Sequence, residues 1–152
     1  MTVAGYSHVA VSVTDLEAAR DFYCDVLGFE VLPRPDFGFP GLWLRVGELQ
    51  LHLGLGSPSQ APAPAPPVGK AAGSAGVVDE APSPGPGFPH FALYVPTEDF
   101  DATIDAVLAA GTKMVGEPST RVDFGTTVHA AFITDPSGNV IELTDVGPVT
   151  TV

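Results

Sequence analysis

Two histidines head two closely similar runs of this chain, His8-Val-Ala-Val-Ser-Val13 and His90-Phe-Ala-Leu-Tyr-Val95. Each run leads through a helical pattern and further strands to an alternating segment with one more potential ligand, His52 in Leu49-Gln-Leu-His-Leu53 and Glu142 in Asn139-Val-Ile-Glu-Leu143. The spacing is 44 residues from His8 to His52 and 52 from His90 to Glu142. Imidazole nitrogens and a carboxylate oxygen are the donors a divalent first-row ion accepts. Repeated units related by pseudo-symmetry bring equivalent strands together, so four such side chains at matching places predict one metal site.

The elements that must position them are readable from periodicity. In the first half, Tyr6 to Val13 alternates as a strand, and Thr14-Asp-Leu-Glu17 has the form of a capping box with Thr14 as the cap. Leu16, Ala19, Tyr23, Val26 and Leu27 fall on one helical face, and Gly28 stands where a left-handed cap closes the helix. Phe29 to Leu32, Leu42 to Val46 and Leu49 to Leu53 complete a βαβββ unit. The second half repeats the order: a strand from His90 to Val95, Thr97 as N-cap, and a helix with Phe100, Ile104, Val107 and Leu108 inward, closed by Gly111. Strands follow at Lys113 to Val115, Thr127 to Thr134 and Asn139 to Leu143, with Asp135-Pro-Ser-Gly138 as a turn.

Side-chain alternation then sorts the faces. Val9, Val11, Val13, Leu49, Leu51, Leu53, Phe91, Leu93 and Val95 are expected to cover the helices. Tyr6, His8, Ala10, Ser12, Gln50, His52, His90, Ala92, Tyr94, Val140 and Glu142 share the other face, which therefore collects all four candidate ligands. Phe132 is expected as a wall of the same space, and His129, of opposite parity, is given a supporting role. Trp43 and Arg45 share parity on the third strand, the indole as a wall or as core packing, the guanidinium as an anchor for a carboxylate. Arg34, Phe37 and Phe39 lie in a loop framed by proline and glycine, read as structural but placed to line a pocket mouth.

Composition bounds the rest. The 152 residues make one domain's worth of chain, 45% apolar, divided by the repeat into modules at 1–53 and 89–152. Residues 54–88 are rich in proline, alanine and glycine and are expected to form a linker that builds no core. A net charge of -12 disfavours nucleic acid and anionic lipid surfaces. The single Cys24 excludes an intrachain disulfide, and with no secretion signal or bilayer-length apolar run the expected location is cytoplasmic.

The βαβββ repeat, the Phe22-Tyr-Cys-Asp-Val-Leu-Gly-Phe29 segment, the Pro33-Arg-Pro-Asp-Phe-Gly-Phe-Pro-Gly41 loop, Pro89-His-Phe-Ala-Leu93 and Asp135-Pro-Ser-Gly-Asn-Val-Ile-Glu-Leu143 together resemble the vicinal oxygen chelate superfamily of glyoxalases, bleomycin-resistance proteins and extradiol dioxygenases. The resemblance implies an α+β fold in which two βαβββ modules form cup-shaped mixed β-sheets with helices on the outer face. By position it makes His8, His90 and Glu142 recurrent metal ligands and His52 the fourth, where glyoxalase I commonly has glutamate. It further implies one divalent ion per site (nickel, zinc, cobalt, manganese or iron) and a small oxygenated substrate bound beside Trp43, Arg45, Tyr94 and Phe132. Glu142 is then the candidate general base, since a carboxylate ligand can loosen and accept a proton. Ser12 replaces the arginine that glyoxalase I offers to glutathione, and Phe132 the tyrosine of extradiol dioxygenases. A metal-dependent lyase or isomerase is the leading expectation. A sequestering protein of the bleomycin-resistance kind and an Fe(II) dioxygenase are the alternatives. Each module forms half of a cup, and the halves must meet either within one chain, which the long linker would permit, or between chains; the resemblance implies that they meet between the chains of a homodimer.

Overall fold

The computed structural model describes residues 5–56, 89–123 and 125–147. Strand β1 (His8–Val13) leads into helix α1 (Leu16–Arg20), which continues as a π-helical turn over Asp21–Val26 before β2 (Glu30–Leu32), β3 (Gly41–Val46) and β4 (Leu49–Leu55). The second half runs through β5 (Phe91–Tyr94), a 3-10 turn (Thr97–Asp99), α2 (Phe100–Ala109), β6 (Lys113–Met114), β7 (Ser119–Asp123), β8 (Thr126–Thr134) and β9 (Val140–Thr144). The expected spacer lies, from residue 57 to 88, outside the described residues, and β4 reaches two residues beyond the boundary expected at Leu53.

Each half builds one mixed sheet, β1-β4-β3-β2 in the first and β5-β9-β8-β6 in the second, with β7 also paired to β8. The fold is thus α+β with two repeated open sheets, as expected. In both, the first strand lies parallel to the last and every other pairing is antiparallel. Strand β7 was not expected. Its Ser119-Thr-Arg-Val-Asp123 is short of large apolar residues, and it forms at the sheet edge by pairing Ser119 with Ala130 and Asp123 with Thr126.

The sheets bury their aliphatic faces against the helices in one core that includes Val13, Leu44, Leu51 and Leu53 from the first sheet and Ala131, Ile133, Ile141 and Leu143 from the second. Phe22 and Tyr23 are both buried, although successive residues on a regular helix point about 100° apart. The π-turn resolves this: Leu27 N–H donates to Phe22 C=O at 3.1 Å, five residues back, and the widened turn admits both rings. Gly28 at φ 75° and Gly111 at φ 78° close the helices as expected.

Three local expectations are corrected. Asp15, not Thr14, caps α1, its Oδ1 accepting from Glu17 N at 2.9 Å and Ala18 N at 3.1 Å. Thr14 instead accepts no capping bond and turns to the other half, donating its N–H to Ser137 Oγ at 2.9 Å. Thr97 opens the 3-10 turn rather than capping α2, and its hydroxyl donates to Asp145 Oδ2 at 3.1 Å. Leu108, expected inward, is 47% exposed because α2 turns only Phe100, Ile104 and Val107 fully into the core.

The halves are joined at Asp135, a carboxylate only 4% exposed. Its Oδ1 accepts from Ser137 N at 2.9 Å and Asn139 N at 2.8 Å, shaping the expected turn. Its Oδ2 accepts from Asn139 Nδ2 at 2.8 Å and from Tyr23 Oη of the first half at 2.9 Å. Asn139 Nδ2 also donates to Ser12 C=O at 2.9 Å. Burial and the adjacent carboxylate push the Tyr23 phenol far above its ordinary pKa, so it remains a donor.

Candidate metal centre

Register explains why the candidate ligands come in pairs. In the first sheet Ala10 is aligned with His52, so His8 stands two residues away along the parallel neighbour and on the same face. In the second sheet Ala92 is aligned with Glu142, and His90 stands two residues away in the same sense. The third strand of each set repeats the relation once more, placing Trp43 opposite His52 and Phe132 opposite Glu142. Histidine, second candidate donor and aromatic ring thus occupy equivalent positions in both modules.

The two pairs differ in geometry. His8 and His52 stack with ring centroids 4.1 Å apart and planes 13° apart, and Trp43 stacks on the other side of His52 at 4.3 Å and 7°. Gln50 adds an in-plane restraint, its Oε1 lying 2.9 Å from His52 Nε2. Burial lowers the proton affinity of His52, and the nearby His8 and Arg34 lower it further. Both effects favour the neutral ring, the state in which an imidazole carries a lone pair for a metal. In the second pair His90 Nε2 lies 3.2 Å from Glu142 Oε2, and the His90 ring meets Phe132 edge-on at a centroid distance of 5.6 Å. The Glu142 side chain is 14% exposed and that of His90 28%.

These donors suit a divalent ion in kind, two from each module. Within one chain, however, no three His, Cys, Asp or Glu side chains among the described residues gather closely enough to hold one ion. The structure brings His8 to His52 and His90 to Glu142, but it does not bring one pair to the other.

Of the expected wall residues, Trp43 lies against His52, Phe132 against His90, and Tyr94 is exposed next to Gly147. Arg45 is exposed and forms an ion pair with Glu30, Nε to Oε2 at 3.0 Å, across the β2–β3 pairing. His129 takes the supporting place expected of it: its backbone N–H donates to Asp145 Oδ1 and its Nδ1 contacts Asp145 Oδ2, each at 2.7 Å, on the side facing Phe100. Asp145 escaped the sequence reading, since it becomes significant only when β9 is laid beside β8. The Arg34 loop was also undervalued. Arg34, Phe37 and Phe39 line a cleft of about 360 Å³ together with Ser12, Trp43 and His52.

Comparison with known proteins places this geometry. Residues 5–143 match the model of the Glyoxalase/Bleomycin resistance protein/Dioxygenase superfamily. The chain is 36% identical over 144 residues to a probable lactoylglutathione lyase of Synechocystis sp., spanning 90% of this chain and 91% of that protein. It is 45% identical over 50 residues to the mitochondrial methylmalonyl-CoA epimerase of Mus musculus, covering 31% of this chain and 28% of the other. The solved fosfomycin resistance protein FosX of Listeria monocytogenes, complexed with Mn(II), superposes with a TM-score of 0.66 at 16% identity, over 95% of this chain and 91% of that one. A putative glyoxalase family protein of Bacillus anthracis superposes at 0.61 with 22% identity, over 95% and 96% of the two chains.

Proposed function

The chain belongs to the Glyoxalase/Bleomycin resistance protein/Dioxygenase superfamily, and on that premise we propose that it is a metal-dependent enzyme of the lyase or isomerase kind acting on a small oxygenated substrate. The observation that carries this reading is the equivalent placement of His8 with His52 and His90 with Glu142 on the ligand-bearing faces of the two sheets. Two donors per half are too few for a catalytic site with three or four protein ligands. Two halves together supply three imidazoles and one carboxylate. In a two-fold homodimer, His8 and His52 of one subunit would face His90 and Glu142 of the partner subunit, and the symmetry would generate two equivalent sites.

A divalent ion held there would supply Lewis acidity, offsetting negative charge that develops on a substrate oxygen. The protein residues do the rest. Glu142, partly sheltered and close to His90, accepts the substrate proton at Oε2 and returns it. His90 Nε2, 3.2 Å away, holds that oxygen in place. Trp43 and Phe132, each opposite a ligand on the neighbouring strand, wall the space and limit water around the reacting carbon. The match to a probable lactoylglutathione lyase supports lyase-type chemistry. Ser12, in the Trp43 cleft, is uncharged, so Arg34 is the cation that this cleft offers a substrate.

Metal stoichiometry tests this. Protein dialysed against chelator and reloaded with zinc or nickel should hold one ion per chain, and His90→Ala should lose it while keeping its fold. Full metal occupancy in His90→Ala would overturn the ligand assignment.

A further inference from the structure

The Arg34 cleft has a chemistry that the metal ligands do not account for. The guanidinium carbon lies 4.9 Å from the ring centroids of both Phe37 and Phe39, and the two rings stack on each other at 5.8 Å. Phe37 also meets Trp43 at 5.9 Å, which continues the aromatic surface to the His8 and His52 stack. These rings are costly to leave in water: Phe37 is 50% exposed and Phe39 60%.

Arg34 packs against β3 at a glycine. A methyl group at Gly41 would lie 2.9 Å from the Leu53 carbonyl oxygen, 3.1 Å from Arg34 Nε and 3.3 Å from Cζ, so the guanidinium end lies close over the Gly41 backbone. Its polar contact among the described residues is a 3.4 Å hydrogen bond from Nη1 to the Pro35 carbonyl. The neighbouring Asp36 is turned away, accepting from Gly38 N at 2.8 Å. Arg20 and Arg45 contrast with it, the first paired with Asp21 and the second with Glu30. Among the described residues Arg34 has no carboxylate partner, in a chain of net charge -12.

We propose that the cleft of Arg34, Phe37, Phe39 and Trp43 is a specificity subsite for the carboxylate end of a substrate with a flat apolar body. One planar guanidinium matches the two oxygens of a carboxylate. The rings cover the body, and the reacting oxygens extend towards His52. Ser12, also lining the cleft, brings no further charge, so a singly charged carboxylate fits better than a doubly charged phosphate ester. This rests on the proposed function in taking the ligand-bearing sheet face as the substrate side.

The test uses Trp43, the sole tryptophan of the chain, as the reporter. Benzoate, its neutral counterpart benzamide and phenyl phosphate are titrated against the chelator-treated and the zinc-loaded protein, following tryptophan emission. Benzoate should bind at least about tenfold more tightly than benzamide in both forms, the range expected for a charged hydrogen-bonded pair. Arg34→Gln should lose that preference with its melting temperature unchanged, and Arg34→Lys should recover part of it. Equal binding of benzoate and benzamide, or full preference in Arg34→Gln, would overturn the subsite. So would tighter binding of phenyl phosphate, or a preference that exists only with zinc, which would place the carboxylate on the metal. A protein that takes no zinc yet keeps the Arg34-dependent preference would refute the metal reading and leave the subsite standing.

Discussion

Asp145 is a buried carboxylate whose charge depends on its native partners. Its side chain is 2% exposed and accepts hydrogen bonds from the His129 backbone at 2.7 Å and the Thr97 hydroxyl at 3.1 Å, besides the His129 ring. The His129 backbone and ring bonds hold its carboxyl below the usual range, against the opposing effect of burial. A depressed carboxyl pKa stabilises the fold above the unfolded value, about 4, and that stability is lost as the pH falls through the lower folded value. Asp145→Asn should therefore lower the melting temperature at pH 7 and lose much of the difference below pH 3. Parallel melting curves across that range check it, and a gap that widens towards acid would contradict it. At this scale the sequence was informative where chemistry is carried by residue type. The four candidate ligands stood out because histidines and a carboxylate recur at matching places. Asp145 did not, because nothing in an isolated Asp reveals a partner across a strand; Arg34, read as part of a structural loop at a pocket mouth, gained weight only with Phe37, Phe39 and Trp43 gathered around it.

Periodicity made most elements legible, including the strands that hold His8, His52 and Glu142 and the one that His90 immediately precedes. It failed where the backbone departs from regular spacing. The π-turn from Asp21 to Val26 adds Phe22 to the buried face beside Tyr23, and a pattern based on 3.6 residues per turn cannot show that. It also failed where two hydroxyl or carboxylate caps compete, since Thr14 gave up α1 to Asp15 in order to reach Ser137. The Tyr23 bond to Asp135 likewise depends on the docking of the π-turn beside the β8–β9 turn, 112 residues away in sequence. Tyr23→Phe removes one of four donors from this buried carboxylate and should cost about 1–3 kcal/mol, read as a lower denaturant midpoint with an unchanged slope. A midpoint within error of the parent would mean that the bond does not tie the two halves together.

Across the whole molecule, the repeat accounts for both what is complete and what is missing. Each module positions two donors and an aromatic wall through the same strand register, and the Asp135 junction fixes the modules into one core. That single core leaves the two donor pairs apart within the chain. A repeat in sequence announces the pairs, but it cannot announce whether they meet inside one chain, because that depends on how the modules dock. The proposed homodimer joins them, and mixing inactive variants measures this most directly. His8→Ala and Glu142→Ala proteins, each without activity or stoichiometric metal, would be combined under conditions that exchange subunits. Heterodimers then contain one intact site and one that lacks both residues. The account predicts that metal binding and activity return to about a quarter of the parent level after full random exchange, since half the dimers carry one of two sites. No recovery despite proven exchange, or a monomer by light scattering, would contradict it.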